Sequence, residues 1–284
     1  VTSLQDGAFA YCTNLKAFRG GNKVATLGND CFAGAEIYSA SGYQLILGDG
    51  ILVKYFGNET LITVAENVKV IGNSAFEGNT TVTSVQFSAT TTEIGDGAFR
   101  GCTALTTAIL TPSITRIGSE AFAGCENLSG IALPTGLTDL GAGAFSMCRS
   151  LKGIELPASL TTVSDYAFAK CSDLIVVTFN GQTVIGAGAF ANCTRLETVA
   201  LPLSLTTVGA NAFAGCSAVT KLTMRKNVQT IGDYAFAGTA IKSITFPSAL
   251  TYLGPNALND CTRLTTVSAA EGTYAKQWAT EHGF

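Results

Sequence analysis

A twelve-residue phrase, IGDGAFRGCTAL at 94–105, returns as IGSEAFAGCENL at 117–128 and keeps returning along the chain. Its ring residue stands at Phe9, Phe32, Phe76, Phe99, Phe122, Phe145, Phe168, Phe190, Phe213 and Phe236, with Leu258 in the last place. The steps are 22 or 23 residues, apart from one of 44 between Phe32 and Phe76. That long step spans two periods, so one unit there is written differently. A unit this short cannot enclose a core of its own. It must bury its apolar side against its neighbours, which specifies a solenoid of stacked coils instead of one or two globular cores.

One period, CENLSGIALPTGLTDLGAGAFSMC, predicts the shape of a coil. The alternation at Ile131 and Leu133 predicts a strand with those two side chains inward and Ala132 outward. Pro134 has no N–H for a ladder and ends it. Leu137 to Leu140 predicts a second short extended piece, stopped by Gly141. Ala144, Phe145 and Cys148 then form a tight corner, up to one helical turn, leading to the next strand. Gly141 and its equivalents, Gly95, Gly118, Gly186, Gly209 and Gly232, are expected either to take positive φ or to make room for the adjoining coil. Phenylalanine is expected to fill the wide corner by stacking on its counterpart about 4.8 Å away.

These residues resemble the BspA-type leucine-rich repeats found on the surfaces of gut and oral bacteria and of some protists. The family phrase stands here as Ile117-Gly118, Ala121-Phe122 and Gly124-Cys125, followed by Leu151, Ile154 and Leu156-Pro157. The resemblance covers nearly the whole chain. It implies a β-rich, right-handed leucine-rich-repeat solenoid of about twelve coils over residues 1–271, closed by a capping helix at 272–284. The slot that holds Asn or Cys in the common leucine-rich pattern holds Gly136 and Ser159, so the ordinary asparagine ladder is absent.

Composition narrows function mainly by exclusion. The chain is 47% hydrophobic and 13% charged with net charge −3, too weak and of the wrong sign for a nucleic-acid partner. No run of 18 apolar residues is present to insert in a membrane. The sequence opens in mid-phrase, so a signal or another segment is expected before Val1. Six of the nine cysteines, Cys102, Cys125, Cys148, Cys171, Cys193 and Cys216, recur in register. Parallel Cβ vectors about 4.8 Å apart suit free buried thiols donating to turn carbonyls, because a disulfide needs its Cβ atoms converging near 3.8 Å. Asn79 and Thr239 take the same slot. No Cys-x-x-Cys or His-x-x-x-His spacing suggests a metal.

The single histidine, His282, has no sequence partner for a triad, and Cys–His chemistry would require it to reach a ladder thiol. GAGAF at 141–145 and 186–190 is the repeat phrase without the lysine of a phosphate loop. Asp96, Asp165 and Asp233 lie coils apart and cannot act as a pair. No catalytic residue, metal or cofactor is expected.

Two segments break the period. Residues 35–60 contain YQLIL and ILVKYF around GDG, a hairpin signal. It reads as a variant coil that merely packs or as a protruding contact element. The period resumes at Leu61, with Ile62, Val64, Val68 and Ile71 as coil residues. In the tail, Tyr274, Ala275, Trp278 and Ala279 have helical spacing and are expected, with Phe284, to cover the last coil.

The outward strand positions are mostly small and hydroxylated. The exception is LIVVTF at 174–179, where Ile175 and Val176 are expected outward among Lys152, Glu155, Glu197 and Lys221. An apolar centre with a charged rim is a protein-binding arrangement. Isolated exposed aliphatics are also ordinary. The expected function is a non-enzymatic extracellular or cell-surface adhesion module that binds a host or matrix protein through this face. The alternative is a rigid spacer carrying another domain.

Overall fold

In the computed structural model, residues 2–15, 23–24, 26–28, 31–32, 35, 44–55 and 57–283 are described. Tyr43, Phe56 and Phe284, and residues 36–43 of the irregular segment, lie outside them. The chain divides into two compact units, Val1–Ala144 and Phe145–Phe284. Each is a stretch of β-solenoid, and α1 (Tyr274–Glu281) ends the second.

In the first unit one column of parallel strands comprises Leu61–Thr63, Ser84–Gln86 and Thr107–Ile109. A second column runs through Ile51–Tyr55, Val70–Ile71, Glu93–Ile94, Arg116–Ile117 and Asp139–Leu140. Turns make the third side. There Gly97, Phe99 and Gly101 donate their N–H groups to the carbonyls of Ser119, Ala121 and Ala123 of the next coil. Within a coil, Ala98, Cys102 and Leu105 each donate to the carbonyl three residues back. The corner is therefore a string of tight turns.

The predicted strand at 131–133 does not form. The first column ends in a single bridge from Thr107 to Gly130, and Ile131 and Leu133 are only half-buried. Glycine weakens a strand because it brings no side chain to pack, and no atom lies within 4 Å of where a Cβ of Gly130 would stand.

Phenylalanine rings fill the interior of the turn side. Phe76 to Phe99 is 4.6 Å and Phe99 to Phe122 is 5.1 Å between centroids, nearly parallel. Tyr55 stacks on Phe76 at 4.9 Å and so supplies the ring that the 44-residue step lacks. The hairpin exists as Gln44–Leu47 antiparallel to Ile51–Tyr55, turning through Gly48 and Gly50 at positive φ. Leu45, Leu47, Leu52 and Val53 are buried, and Ile51–Tyr55 continues the second column. These strands are part of the wall and do not protrude. Ile62, Val64, Val68 and Ile71 are all buried, as the resumed period requires.

The corner glycines make room instead of taking positive φ. A Cβ on Gly118 would stand 2.7 Å from Asp96 N. Left-handed backbone occurs two residues later, at Gly97 and Gly143 but also at Glu120, and in the second unit at Tyr166, Asn211 and Tyr234. Asparagine is replaced as a ladder residue by threonine. Thr92, Thr115 and Thr138 donate their hydroxyls to the carbonyls of Lys69, Thr92 and Thr115 at 3.3, 3.4 and 3.3 Å.

In the second unit the rings of Phe145, Phe168, Phe190, Phe213 and Phe236 stack at 5.3–5.6 Å, all buried. The second column is continuous from Thr162–Val163 to Tyr252–Leu253. The first column is divided into three strand pairs: Gly153–Leu156 with Val176–Phe179, Thr198–Ala200 with Lys221–Thr223, and Ser243–Thr245 with Thr266–Ser268.

The ladder cysteines are free, and five of their thiols reach back one coil to a phenylalanine carbonyl. Cys102 donates to Phe76 O at 3.0 Å, Cys125 to Phe99 at 3.1 Å, Cys171 to Phe145 at 3.2 Å, Cys193 to Phe168 at 3.2 Å and Cys216 to Phe190 at 3.1 Å. Cys261 repeats the bond to Phe236 at 3.2 Å. Thr239 places its hydroxyl on the Phe236 carbonyl of its own coil at 2.9 Å.

Candidate protein-binding face

The outward face of the second unit is built on the strand pair Gly153–Leu156 and Val176–Phe179. Pairing sets Gly153 beside Val176 and Glu155 beside Thr178. Ile175 donates its N–H to the Lys152 carbonyl at 2.9 Å, which brings Lys152, Glu155, Ile175 and Val176 onto one two-strand patch. Val176 is 53% exposed, whereas Ile175 is half-buried. Val176 thus forms the apolar centre and Ile175 its floor. A Cβ on Gly153 would lie 3.1 Å from Val176 Cγ1, so Val176 shields this glycine in the way that nothing shields Gly130.

The remaining two residues stand on the other side of a ladder break. Glu197 is exposed, and its N–H lies 3.5 Å from the Ile175 carbonyl, the limit of a hydrogen bond. Lys221 is exposed and pairs with Thr198 in the separate strand pair. Four of the six predicted residues therefore share one rigid patch, and two flank it across a looser junction.

The break has a cause that sequence reading missed. The step from Leu160 to the next residue of its register is 22, and that residue is Gln182 where other coils hold Leu137, Leu160 and Leu205. Gln182 is fully buried. Its Oε1 accepts from Asn180 N at 2.9 Å and from Gly181 N at 3.3 Å. Its Nε2 donates to the Pro157 and Leu160 carbonyls at 3.0 and 2.9 Å. Both ends of the buried amide are thus satisfied by backbone groups of the shortened corner and the coil before it, as a buried polar group requires. Asn180 extends this network to the face, donating to Glu155 Oε1 at 3.1 Å. A register alignment of the leucine slot was the signal that would have exposed Gln182.

Elsewhere the charged clusters neutralise themselves. In the first unit Arg116 pairs with Glu93, Asp96 and Asp139, and Arg100 with Glu77 and Glu120. Burial opposes ionisation of Glu77, but bonds from Ser74 and Arg100 outweigh it and hold the carboxyl below its usual range. Arg100 and Glu120 line a polar pocket of about 220 Å³ with Asn73, Asp96 and Ser119.

His282 has partners after all. Its ring stacks on Trp278 at 4.0 Å, and Nδ1 lies 2.8 Å from the Trp278 carbonyl. It lines a pocket with Cys261, but burial raises the Cys261 thiol and its proton is directed at Phe236 O, so no thiolate nucleophile is prepared there. Among the described residues no group of three His, Cys, Asp or Glu side chains could hold a metal ion, and no helix is long and apolar enough to cross a membrane.

Comparison with known proteins agrees with this architecture. Residues 1–42, 54–175 and 176–279 match the family described as BspA type leucine rich repeat region, in six copies. A leucine-rich repeat protein from Bacteroides ovatus is 25% identical, with 82% of this chain and 68% of that one covered and a TM-score of 0.68. One from Eubacterium ventriosum shares the fold at 22% identity, with 88% and 77% covered and a TM-score of 0.57. Comparison with curated proteins found no match.

Proposed function

The chain belongs to the BspA-type leucine-rich repeat family, whose solenoids fit a protein-interaction or scaffold role and are generally non-enzymatic, and on that premise we propose that it is an extracellular, cell-surface protein-binding module. Its target is a host or matrix protein, and its contact surface is the strand face around Val176. One observation carries this reading. Val176 stands 53% exposed on a strand pair that also carries exposed Lys152 and Glu155, with exposed Glu197 and Lys221 across the ladder break. A hot spot needs an apolar anchor that water leaves on contact and a charged rim that sets register. The mixed signs of the rim favour a partner of mixed charge over a polyanion. The resemblance to bacterial surface repeats supports the location.

The reading is tested by pull-down from solubilised host extracellular matrix with wild type and an Ile175→Ser/Val176→Ser variant. Serine is tolerated on a strand face, but half-buried Ile175 makes a folding control necessary, so Val176→Ser alone accompanies the pair. Loss of the captured protein by both variants at unchanged melting temperature is the expected result. Full capture by a folded Val176→Ser protein removes the face from consideration, and capture of nothing by wild type turns the reading to a spacer.

A further inference from the structure

The turn side of the second unit follows a strict rule of donors and acceptors. Phe190 and Asn192 donate N–H to the carbonyls of Ala212 and Ala214 at 2.8 and 2.7 Å. Phe213 and Gly215 donate to Ala235 and Ala237, both at 2.8 Å. Phe236 and Gly238 donate to Ala257 and Asn259 at 2.9 and 2.8 Å. The two acceptors always flank the residue that stacks in the ring column: Phe213, Phe236 and then Leu258. The first two turns thus read an Ala-Phe-Ala segment in the coil ahead, and the third reads Ala257-Leu258-Asn259.

Among the described residues no further coil stacks on the turn at 255–262, and the chain runs on into α1. Leu258 N and Asp260 N occupy the donor positions of the rule, and neither has an acceptor among the described residues. Leu258 is only 9% exposed, so its N–H is poorly served by water. Helix α1 lies over the strand edges of this coil and leaves the turn edge open. Tyr274 OH reaches the Leu253 carbonyl at 3.4 Å, and the Trp278 ring meets Phe246 edge-on at 6.1 Å. Between the helix and the turn is a pocket of about 470 Å³. Leu258 and Asp260 stand on one wall, with Trp278 and His282 on the other.

We propose that this pocket binds a peptide segment of a partner protein in which an aromatic residue stands between two small ones. The carbonyls of the small residues accept from Leu258 N and Asp260 N. The aromatic side chain continues the ring column over Leu258 and packs against Trp278. This is edge addition in the manner of strand augmentation, with backbone bonds giving affinity and one side-chain slot giving selectivity. The occupant is identified by what four of the five preceding turns of the unit already hold, an Ala-Phe-Ala segment. The site is at the end of the unit, so it stands or falls independently of the Val176 face.

Trp278 is the only tryptophan, so emission excited at wavelengths that the tyrosines do not absorb reports on the pocket alone. The probe is a blocked pentapeptide, Asn-Ala-Phe-Ala-Gly, with the sequence of residues 211–215. Titration is expected to change Trp278 emission saturably, half-complete below about 5 mM, an affinity fitting two hydrogen bonds and one ring. The same peptide with serine for phenylalanine is expected to bind at least about tenfold more weakly. Thr262→Tyr, which fills the pocket from an exposed position, is expected to abolish the response at unchanged near-ultraviolet circular dichroism, while Val176→Ser leaves it intact. No saturable change, an equal response to the serine peptide, or an undiminished response in a folded Thr262→Tyr protein overturns the proposal. So does a change in emission that tracks protein concentration without peptide, which would make a second copy the occupant.

Discussion

The turn side and the outer strand side of the second unit receive the same deletions and respond differently. Two coils are 22 residues long, Phe168 to Phe190 and Phe236 to Leu258. On the turn side nothing changes: Phe168 N still meets Ala189 O at 2.8 Å and Phe236 N meets Ala257 O at 2.9 Å. On the outer side the strand ladder is cut at both places, after Phe179 and after Thr223. The turn side is locked by buried rings, thiols and backbone bonds together. The outer strands have one face in water and fewer partners, so misregister accumulates there. Such an arrangement concentrates structural variation on the surface available for recognition while the interior stays uniform.

The largest expected effect comes from attacking the locked side. Phe145→Ala removes a fully buried ring and should cost about 3–5 kcal/mol in a urea melt. A loss under about 1 kcal/mol would mean the column relaxes and is not what resists the deletions.

Gln182→Leu sharpens the comparison, because it restores the residue of the longer coils without restoring their length. It should cost about 1–3 kcal/mol, since Asn180 N and the Pro157 and Leu160 carbonyls lose their partner. Equal or greater stability in equilibrium unfolding would show that the short corner does not depend on the amide.

Raising pH probes the thiols of the locked side. Burial pushes the Cys171 thiol up to about 12, and a bond with Cys216 together with burial raises Cys193 well above the ordinary range. Unfolded thiols titrate near 8.5. The protonated thiol is therefore favoured by folding, its stabilisation is complete below that value, and it is lost as pH climbs from there toward 12. At pH 8 a thiol reagent should modify exposed Cys12 rapidly and the buried ladder thiols only on unfolding. Fast modification of the ladder in the native protein would contradict the packing.

The smallest effect tests backbone strain on the turn side. Lys170 holds φ of +63° at a slot filled by Gly101, Gly124 and Gly215 in other coils. Lys170→Gly should raise stability by up to about 1 kcal/mol, read as a shift in melting temperature. A decrease would mean that the cost of glycine in the unfolded chain outweighs the relief.

What the sequence alone determined is the interior. The spacing of phenylalanine, cysteine and paired small residues dictates stacked coils, because every unit must bury the same side against its neighbour. It also required the thiols to be unpaired donors, since like positions in parallel coils present parallel Cβ vectors. The hairpin was legible from GDG between two apolar runs. Four decisions belonged to tertiary structure. Tyr55 entered the ring column because the hairpin joined the wall, which no local pattern states. The strand expected at 131–133 stopped at a single bridge at Gly130, whereas Val176 covered Gly153 from another coil. Gln182 became buried because a corner one residue short leaves backbone groups that only an amide can reach. The vacant donors of Leu258 and Asp260 exist because α1 settled on the strand edges and left the turn edge open. The contacts that bring Tyr55 to Phe76, Val176 to Gly153, Gln182 to Pro157 and Tyr274 to Leu253 each span about one coil of sequence. Periodicity reports which side of a coil is apolar, whereas such contacts depend on where its neighbours stop.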